Sequence, residues 1–290
     1  VGQRLTGNKE EEKLMTQRNL TADEIQQYQQ DGVVCVRNAV DAEWVGKLLA
    51  FGQYQLDHPG ELCNDGNPGA EKGRMFTDRY LWRSNKLVYD YVKNAGCARL
   101  AAQAMQSRSA RFYFDHLLIK KAQTDTPTPW HQDVPYWPFR GRQIASIWLA
   151  LTPVTVTGSG MEFVRGSHND QLMYLPEAFG ASGKKKNSWT GTGAGVPCPD
   201  IEADRSQFDI IGFDLQPGDA LLFSAWTLHG SPGNQSSTQD RFAFSTRWLG
   251  DDAIWDPRPG TDPSVNPEEV RTAPGAHPDD NAIFPEFYAA

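Results

Sequence analysis

The reading of the fold turns on Pro129-Trp130-His131-Gln132-Asp133-Val134-Pro135-Tyr136-Trp137-Pro138. His131 and Asp133 stand two residues apart, and on a strand the side chains at i and i+2 project to the same face, so an imidazole and a carboxylate can converge on one cation. A second histidine, His229, closes the stretch from Gly218 to Ser231, which reads as a strand followed by a turn. Two imidazoles and one carboxylate on one face of an octahedron leave three positions open. That suits a non-haem Fe(II) that must also hold a cosubstrate and dioxygen. An isolated His-x-Asp pair is a weak signal, and a satisfied strand pair with no metal looks the same.

The surroundings supply the weight. Arg241 follows His229 by twelve residues, at the head of an aromatic strand, and a guanidinium fork matches a carboxylate in two-point geometry. If Arg241 points inward, Ala243, Ser245 and Arg247 share its face while Phe242, Phe244 and Trp248 pack outward. Strand parity thus leaves Arg247 as a competitor for the same role. The order His-x-Asp, long gap, His, Arg, together with PWHQDVPYWP (129–138), IWLAL (147–151), GSGMEFVRGSH (158–168), LQPGDALLF (215–223) and HGSPGN (229–234), resembles the phytanoyl-CoA dioxygenase family of Fe(II)/2-oxoglutarate-dependent oxygenases over roughly residues 110–250.

The resemblance implies a mainly β chain with flanking helices, folded as a double-stranded β-helix, a cupin-like jelly-roll barrel with iron in its open end. It implies His131, Asp133 and His229 as catalytic metal ligands. It further implies Arg241 on the distal carboxylate of 2-oxoglutarate, with Ser231 beside it and with Trp148 and Leu117 lining the same pocket. Fe(II), 2-oxoglutarate as cosubstrate and O2 are the expected cofactors. Halogenating relatives have a small residue at the carboxylate position, so Asp133 points to hydroxylation of an unactivated C–H bond with release of succinate and CO2.

Outward from this centre, the whole of 1–290 reads as one oxygenase domain. Residues 1–19, with KEEEK and few large apolar groups, form a loose arm. Residues 20–108 form a helical flank: Thr21-Ala-Asp-Glu24 is a capping box opening a helix that stops at Asp31-Gly32, Val33–Val36 is a strand, Asp41 caps a second helix, Ser84 a third, and an alanine-rich helix spans about 97–106. Strands rich in β-branched and aromatic residues then fill a barrel core over 109–250, at 111–119, 143–151, 220–224 and 242–248, interrupted by an aperiodic insertion at 166–208. Seven prolines in the last forty residues predict an irregular wrap over 251–290.

Other readings narrow the partners. Twenty-eight basic against 36 acidic residues leave a net charge of −8, the wrong sign for a phosphate backbone. No apolar run approaches the roughly 20 residues that span a bilayer. Four scattered cysteines with no CxxC pair and no visible secretory segment read as reduced thiols in a cytoplasmic protein. The expected partner is a small organic molecule, with neither nucleic acid nor membrane. Tyr136, Trp137 and Phe139 either wall the substrate pocket or pack the barrel edge. Arg140 and Arg142 are either anchors for an anionic substrate or ordinary surface groups, and Arg247 either holds such a group or pairs with Asp251 or Asp252. Lys184-Lys185-Lys186 reads as a solvated loop, His58 and His277 as solvated side chains, His168 as turn chemistry, and His116 as a core histidine or a pocket residue. Two other functions fit the same ligands: a barrel that binds metal or 2-oxoglutarate as a sensor without turnover, and an iron oxygenase independent of 2-oxoglutarate.

Overall fold

The computed structural model describes residues 18–170, 172–175 and 195–290. The expected loose arm therefore lies, but for Arg18 and Asn19, outside the described residues, as do the 184–186 lysines and much of the 166–208 insertion. Four helices are described: α1 (Ala22–Asp31), α2 (Ala42–Gln55), α3 (Lys86–Asn94) and α4 (Cys97–Met105). The strands are β1 (Val33–Val36), β2 (Asn64–Gly66), β3 (Met75–Arg79), β4 (Ser109–Lys120), β5 (Thr128–His131), β6 (Phe139–Arg140), β7 (Ile144–Ala150), β8 (Glu162–Val164), β9 (Ile210–Gly212), β10 (Ala220–Ser224), β11 (His229–Ser231), β12 (Arg241–Leu249), β13 (Ile254–Trp255) and β14 (Glu286–Ala289).

Local chemistry accounts for the helix ends. Thr21 and Glu24 make the reciprocal capping box that opens α1. The helix closes on Gly32 at φ +78, where a Cβ would collide with Thr227 Oγ1 and His168 Nδ1. Asp41 accepts from Trp44 N at 2.9 Å to open α2. The cap of α3 is Asn85 rather than Ser84, because Asn85 Oδ1 takes Leu87 N and Val88 N while Ser84 closes the preceding 3-10 turn.

All strand pairs are antiparallel. The major sheet runs β1-β10-β7-β12-β4-β3-β2, and β14 also pairs with β4. The long β4 shares one edge between two partners, β3 along Met75–Arg79 and β14 at Ser109–Arg111. A minor sheet runs β5-β11-β8-β9, and β6 pairs with β13. The two sheets are the walls of a jelly roll, as the sequence implied. The helical flank expected over 20–108 also contains β2 and β3, and the C-terminal wrap adds β13 and β14 to sheets. Proline spacing hides such short edge strands.

Helices cover one face of the major sheet. Leu48 and Phe51 of α2, Val88, Tyr91 and Val92 of α3 and Leu100 of α4 join Leu117, Ile119, Leu149, Leu222, Phe242, Phe244 and Trp248 in one core. The opposite face looks into the barrel, where an aromatic cluster gathers Tyr80, Tyr113, Phe114, Tyr136, Trp137, Phe139, Trp255 and Phe284. Asp262 clamps the C-terminal segment there, accepting from Tyr80 and Tyr113 hydroxyls at 2.6 and 2.7 Å. No described helix is long and apolar enough to cross a membrane, and among the described residues no cysteine forms a disulfide.

Asp262→Ala leaves two fully buried phenols without an acceptor. Loss of buried hydrogen bonds to a charged group predicts a destabilisation on the order of 3 kcal/mol, read from denaturant unfolding. Removing both hydroxyls as well, in Tyr80→Phe/Tyr113→Phe/Asp262→Ala, should recover part of that loss.

Candidate active site

Two paired strands of the minor sheet deliver the histidines. His229 on β11 lies directly opposite His131 on β5, and the ring centroids are 4.2 Å apart. His229 Nδ1 contacts Thr227 O at 2.8 Å and His131 Nδ1 contacts Pro129 O at 2.8 Å. Each Nδ1–H is thereby donated to a backbone carbonyl, and each Nε2 is turned toward the same point as a lone pair.

Asp133 reaches that point by a different route from the one expected. β5 ends at His131, and Asp133 has helical dihedrals at the start of a 3-10 turn, so i, i+2 strand parity is not what aligns it. The chain bends because Asp133 N and Val134 N both donate to Ala225 O, at 3.0 and 3.1 Å. Asp133 Oδ1 comes to 3.8 Å from His131 Nε2 and 3.9 Å from His229 Nε2, and Oδ2 accepts from Ser146 Oγ at 2.8 Å. The donor atoms lie within 4.8 Å of one another. The residues are only 8%, 7% and 3% exposed for His131, Asp133 and His229. Burial works to raise the Asp133 pKa, but the neighbouring His131, His229 and Arg247 side chains outweigh it and hold the carboxyl well below its usual range. Burial, aided by His131, pushes His229 down to about 3. An anionic carboxylate between two imidazoles, all with oriented second partners, is a donor set that fits a divalent transition metal.

Gln132, between the two ligands, points the other way. Its amide donates to Leu172 O and Trp226 O at 2.9 and 2.8 Å and accepts from Tyr174 N at 3.0 Å. The same short stretch is closed against Val196 by Leu175 N to Val196 O (2.8 Å) and Val196 N to Met173 O (3.0 Å).

A cationic pocket opens at one end of the inner face of the major sheet. Arg241 on β12 pairs with Lys120 on β4, and both are buried. The Arg241 guanidinium stands 5.3 Å over the Trp148 ring, and Lys120 Nζ donates to Ser231 Oγ at 2.9 Å and to Pro232 O at 2.7 Å. Burial, then the charge of Arg241, pushes Lys120 down to about 6, and burial pushes Arg241 down to about 10. Arg241 thus lies against Trp148 and, through Lys120, beside Ser231. Leu117 does not join them: it packs beside Gly52 of α2 on the helix side. Leu118, one residue on, packs beside Trp148 and Ala243. Lys120 escaped the sequence reading, although a lysine closing the run FYFDHLLI carries the parity of His116 and Leu118.

The substrate candidates divide. Tyr136 lies 6.0 Å from the His131 ring, edge-on, and Trp137 is 1% exposed among Tyr113 and Phe114. Phe139 packs on Trp255 and Phe284, away from the ligands. Arg140 faces solvent on β6 and pairs with Asp256, the surface role of its two readings. Arg247 does point inward. Its expected partners are engaged elsewhere, Asp251 by Arg108 and Ser109, Asp252 by the backbone N of Arg142 and Gln143.

The sequence profile of the phytanoyl-CoA dioxygenase family matches residues 28–243. A probable phytanoyl-CoA dioxygenase of Caenorhabditis elegans is 24% identical over 194 residues, which is 65% of this chain and 57% of that protein, so the match spans little more than half of the relative's length. Among solved structures, the non-heme alpha ketoglutarate dependent carbocyclase SnoK from nogalamycin biosynthesis superposes with a TM-score of 0.69 at 19% identity, covering 92% of this chain and 96% of that one. The epimerase SnoN, solved with Fe3+, alpha ketoglutarate and nogalamycin RO, gives 0.65 at 22% identity over 91% and 97%. EctD from S. alaskensis, solved with 2-oxoglutarate and 5-hydroxyectoine, gives 0.66 at 15% identity over 89% and 86%.

His229→Ala should abolish stoichiometric Fe(II) binding in an anaerobic titration. Ser146→Ala should keep one site per chain but weaken it by about 10- to 100-fold, the usual cost of losing an outer-shell partner.

Proposed function

The chain belongs to the phytanoyl-CoA dioxygenase family, and from that premise we propose that it is an Fe(II)- and 2-oxoglutarate-dependent oxygenase that hydroxylates an unactivated C–H bond of a small or medium organic metabolite. The observation that carries the reading is the convergence of His131 Nε2, Asp133 Oδ1 and His229 Nε2, one strand pair from a buried Arg241–Lys120–Ser231 pocket. When bound, iron supplies the oxidation, in which 2-oxoglutarate and O2 become succinate and CO2 and one oxygen atom enters the substrate.

The chain's own part is positioning and charge. His131, Asp133 and His229 hold the metal from one side and leave the other free for ligands. Arg241 offers a planar fork for the distal carboxylate of 2-oxoglutarate, and Trp148 flattens one wall against it. Ser231 and Lys120 add a hydroxyl and an amine to the same group. Asp133, a carboxylate rather than a small residue, occupies the place that a halide would need, which favours hydroxylation over halogenation. Carbocyclisation and epimerisation on the same fold make the fate of the substrate the finer question. Succinate release coupled to a product one oxygen heavier, with the oxygen drawn from labelled O2, tests it. A product lacking that oxygen would overturn hydroxylation.

Two further outcomes belong to this pocket. Arg241→Lys keeps a charge but loses the fork, so the apparent Michaelis constant for 2-oxoglutarate should rise at least about tenfold with a smaller change in turnover. Lys120 faces Arg241 across β12 and Met75 across β3. With its pKa pushed down to about 6, it is mostly neutral at pH 7.5 in the free protein. An arriving carboxylate stabilises the ammonium, so binding takes up a proton and affinity falls as pH rises above 6. Calorimetry with N-oxalylglycine at pH 7.5, in buffers of different ionisation enthalpy, should show this uptake, and Lys120→Met should remove it.

A further inference from the structure

Arg247 is the inward-facing charge that the cosubstrate pocket does not use. It lies six residues beyond Arg241 on β12, or about 20 Å at the 3.3 Å rise of a strand, too far to share a carboxylate with it. Its partner across β7 is Ser146, whose hydroxyl holds Asp133 Oδ2, so Arg247 stands one strand pair and one hydrogen bond from the ligand carboxylate. On its other edge the register with β4 shifts, Thr246 pairing with Asp115 and Trp248 with Phe112. Tyr113 and Phe114 therefore both stand opposite Arg247, a β-bulge that turns two consecutive aromatic side chains into the barrel. The guanidinium lies 4.8 Å from the Phe114 ring and 5.9 Å from the Trp137 ring.

Contact with these two rings leaves Nε and Nη1 of the guanidinium without a hydrogen-bond acceptor. Arg247 is 6% exposed, and both nitrogens are buried. The carboxylates near it are committed: Asp133 to Ser146 and the histidines, Asp115 to the backbone N of Leu81 and Trp82, Asp262 to the two tyrosine hydroxyls. No ion pair to Arg247 forms among the described residues. His116, opposite Ser245 on the same face, also has a buried Nε2 with no partner. A guanidinium stays charged, and burying it uncompensated is costly unless an anion arrives.

We propose that Arg247, assisted by His116, receives the carboxylate of the organic substrate, so that the substrate class is a carboxylic acid whose apolar body lies along Phe114 and Trp137. This rests on the oxygenase reading above and names its substrate. A fork between aromatic faces, beside a neutral imidazole, matches a planar carboxylate better than a phosphate dianion.

The full chain is loaded anaerobically with Mn(II) and N-oxalylglycine, each binding step being measured by calorimetry, and its melting temperature is followed against formate, 3-phenylpropanoate, 3-phenylpropanamide and phenyl phosphate. Both carboxylates should raise it with concentration and the amide should not. Arg247→Met should lose the response by at least about tenfold, keep its N-oxalylglycine affinity within about threefold, and melt no lower than the parent when no acid is present, since an unpaired buried charge has been removed. Arg247→Lys, which keeps charge without the fork, should lose at least about fivefold. A lower-melting Arg247→Met that still responds to carboxylate, an equal response to the amide, displacement of N-oxalylglycine by the acids, or tighter binding of phenyl phosphate would each overturn the proposal. Failure of Mn(II) or N-oxalylglycine to bind would instead bring down the oxygenase reading, and this inference with it.

Discussion

The register of β12 governs the site. This strand is hydrogen-bonded on both edges, to β4 and to β7, and a slip of one residue would exchange its two faces. Phe242, Phe244 and Trp248 are held in the helix-covered core, and that burial fixes where Arg241, Ser245 and Arg247 must point. The apolar face thus enforces the polar one. Asp133, Lys120, Trp148 and His116 are all placed relative to β12, through Ser146, direct pairing, ring contact and the Ser245 pair respectively.

The inner face carries an electrostatic burden that the fold does not itself relieve. Arg241 and Arg247 are buried cations and Lys120 is a buried amine, and burial lowers the pKa of each. Groups arranged this way weaken the empty protein and stabilise a ligand of opposite charge, which is the usual exchange between stability and activity. The apolar helix-side core and the Asp262 clamp supply the compensating rigidity.

Much of this was readable in advance because it rests on local rules. The capping box at Thr21, the period-two strands and the inward parity of Arg241 and Arg247 follow from hydrogen bonding and pleat, and all appear in the fold. What was unreadable depends on partners distant in sequence. Asp133 is aligned by Ala225 O rather than by a strand, Leu117 and Leu118 exchange roles because only α2 decides which face is covered, and β3 is recognisable as a strand only through its pairing with β4. The bulge that presents Tyr113 and Phe114 together breaks the very alternation on which sequence reading relies.

The hydrogen-bonded neck formed by Met173, Leu175 and Val196 beside Gln132 has a consequence for how such a chain can diversify. Leu175 and Val196, on either side of the segment 176–194, are held together at one clamped point. That clamp is tied to the side-chain amide of Gln132, between the two ligands, while the ligands' own bonds, to Pro129, Thr227 and Ser146, lie elsewhere. Doubling the length of such an excursion costs only about 0.6 kcal/mol in closure entropy. Evolution can therefore rewrite that segment as a cassette, in length and in chemistry, with the metal-binding geometry left in place.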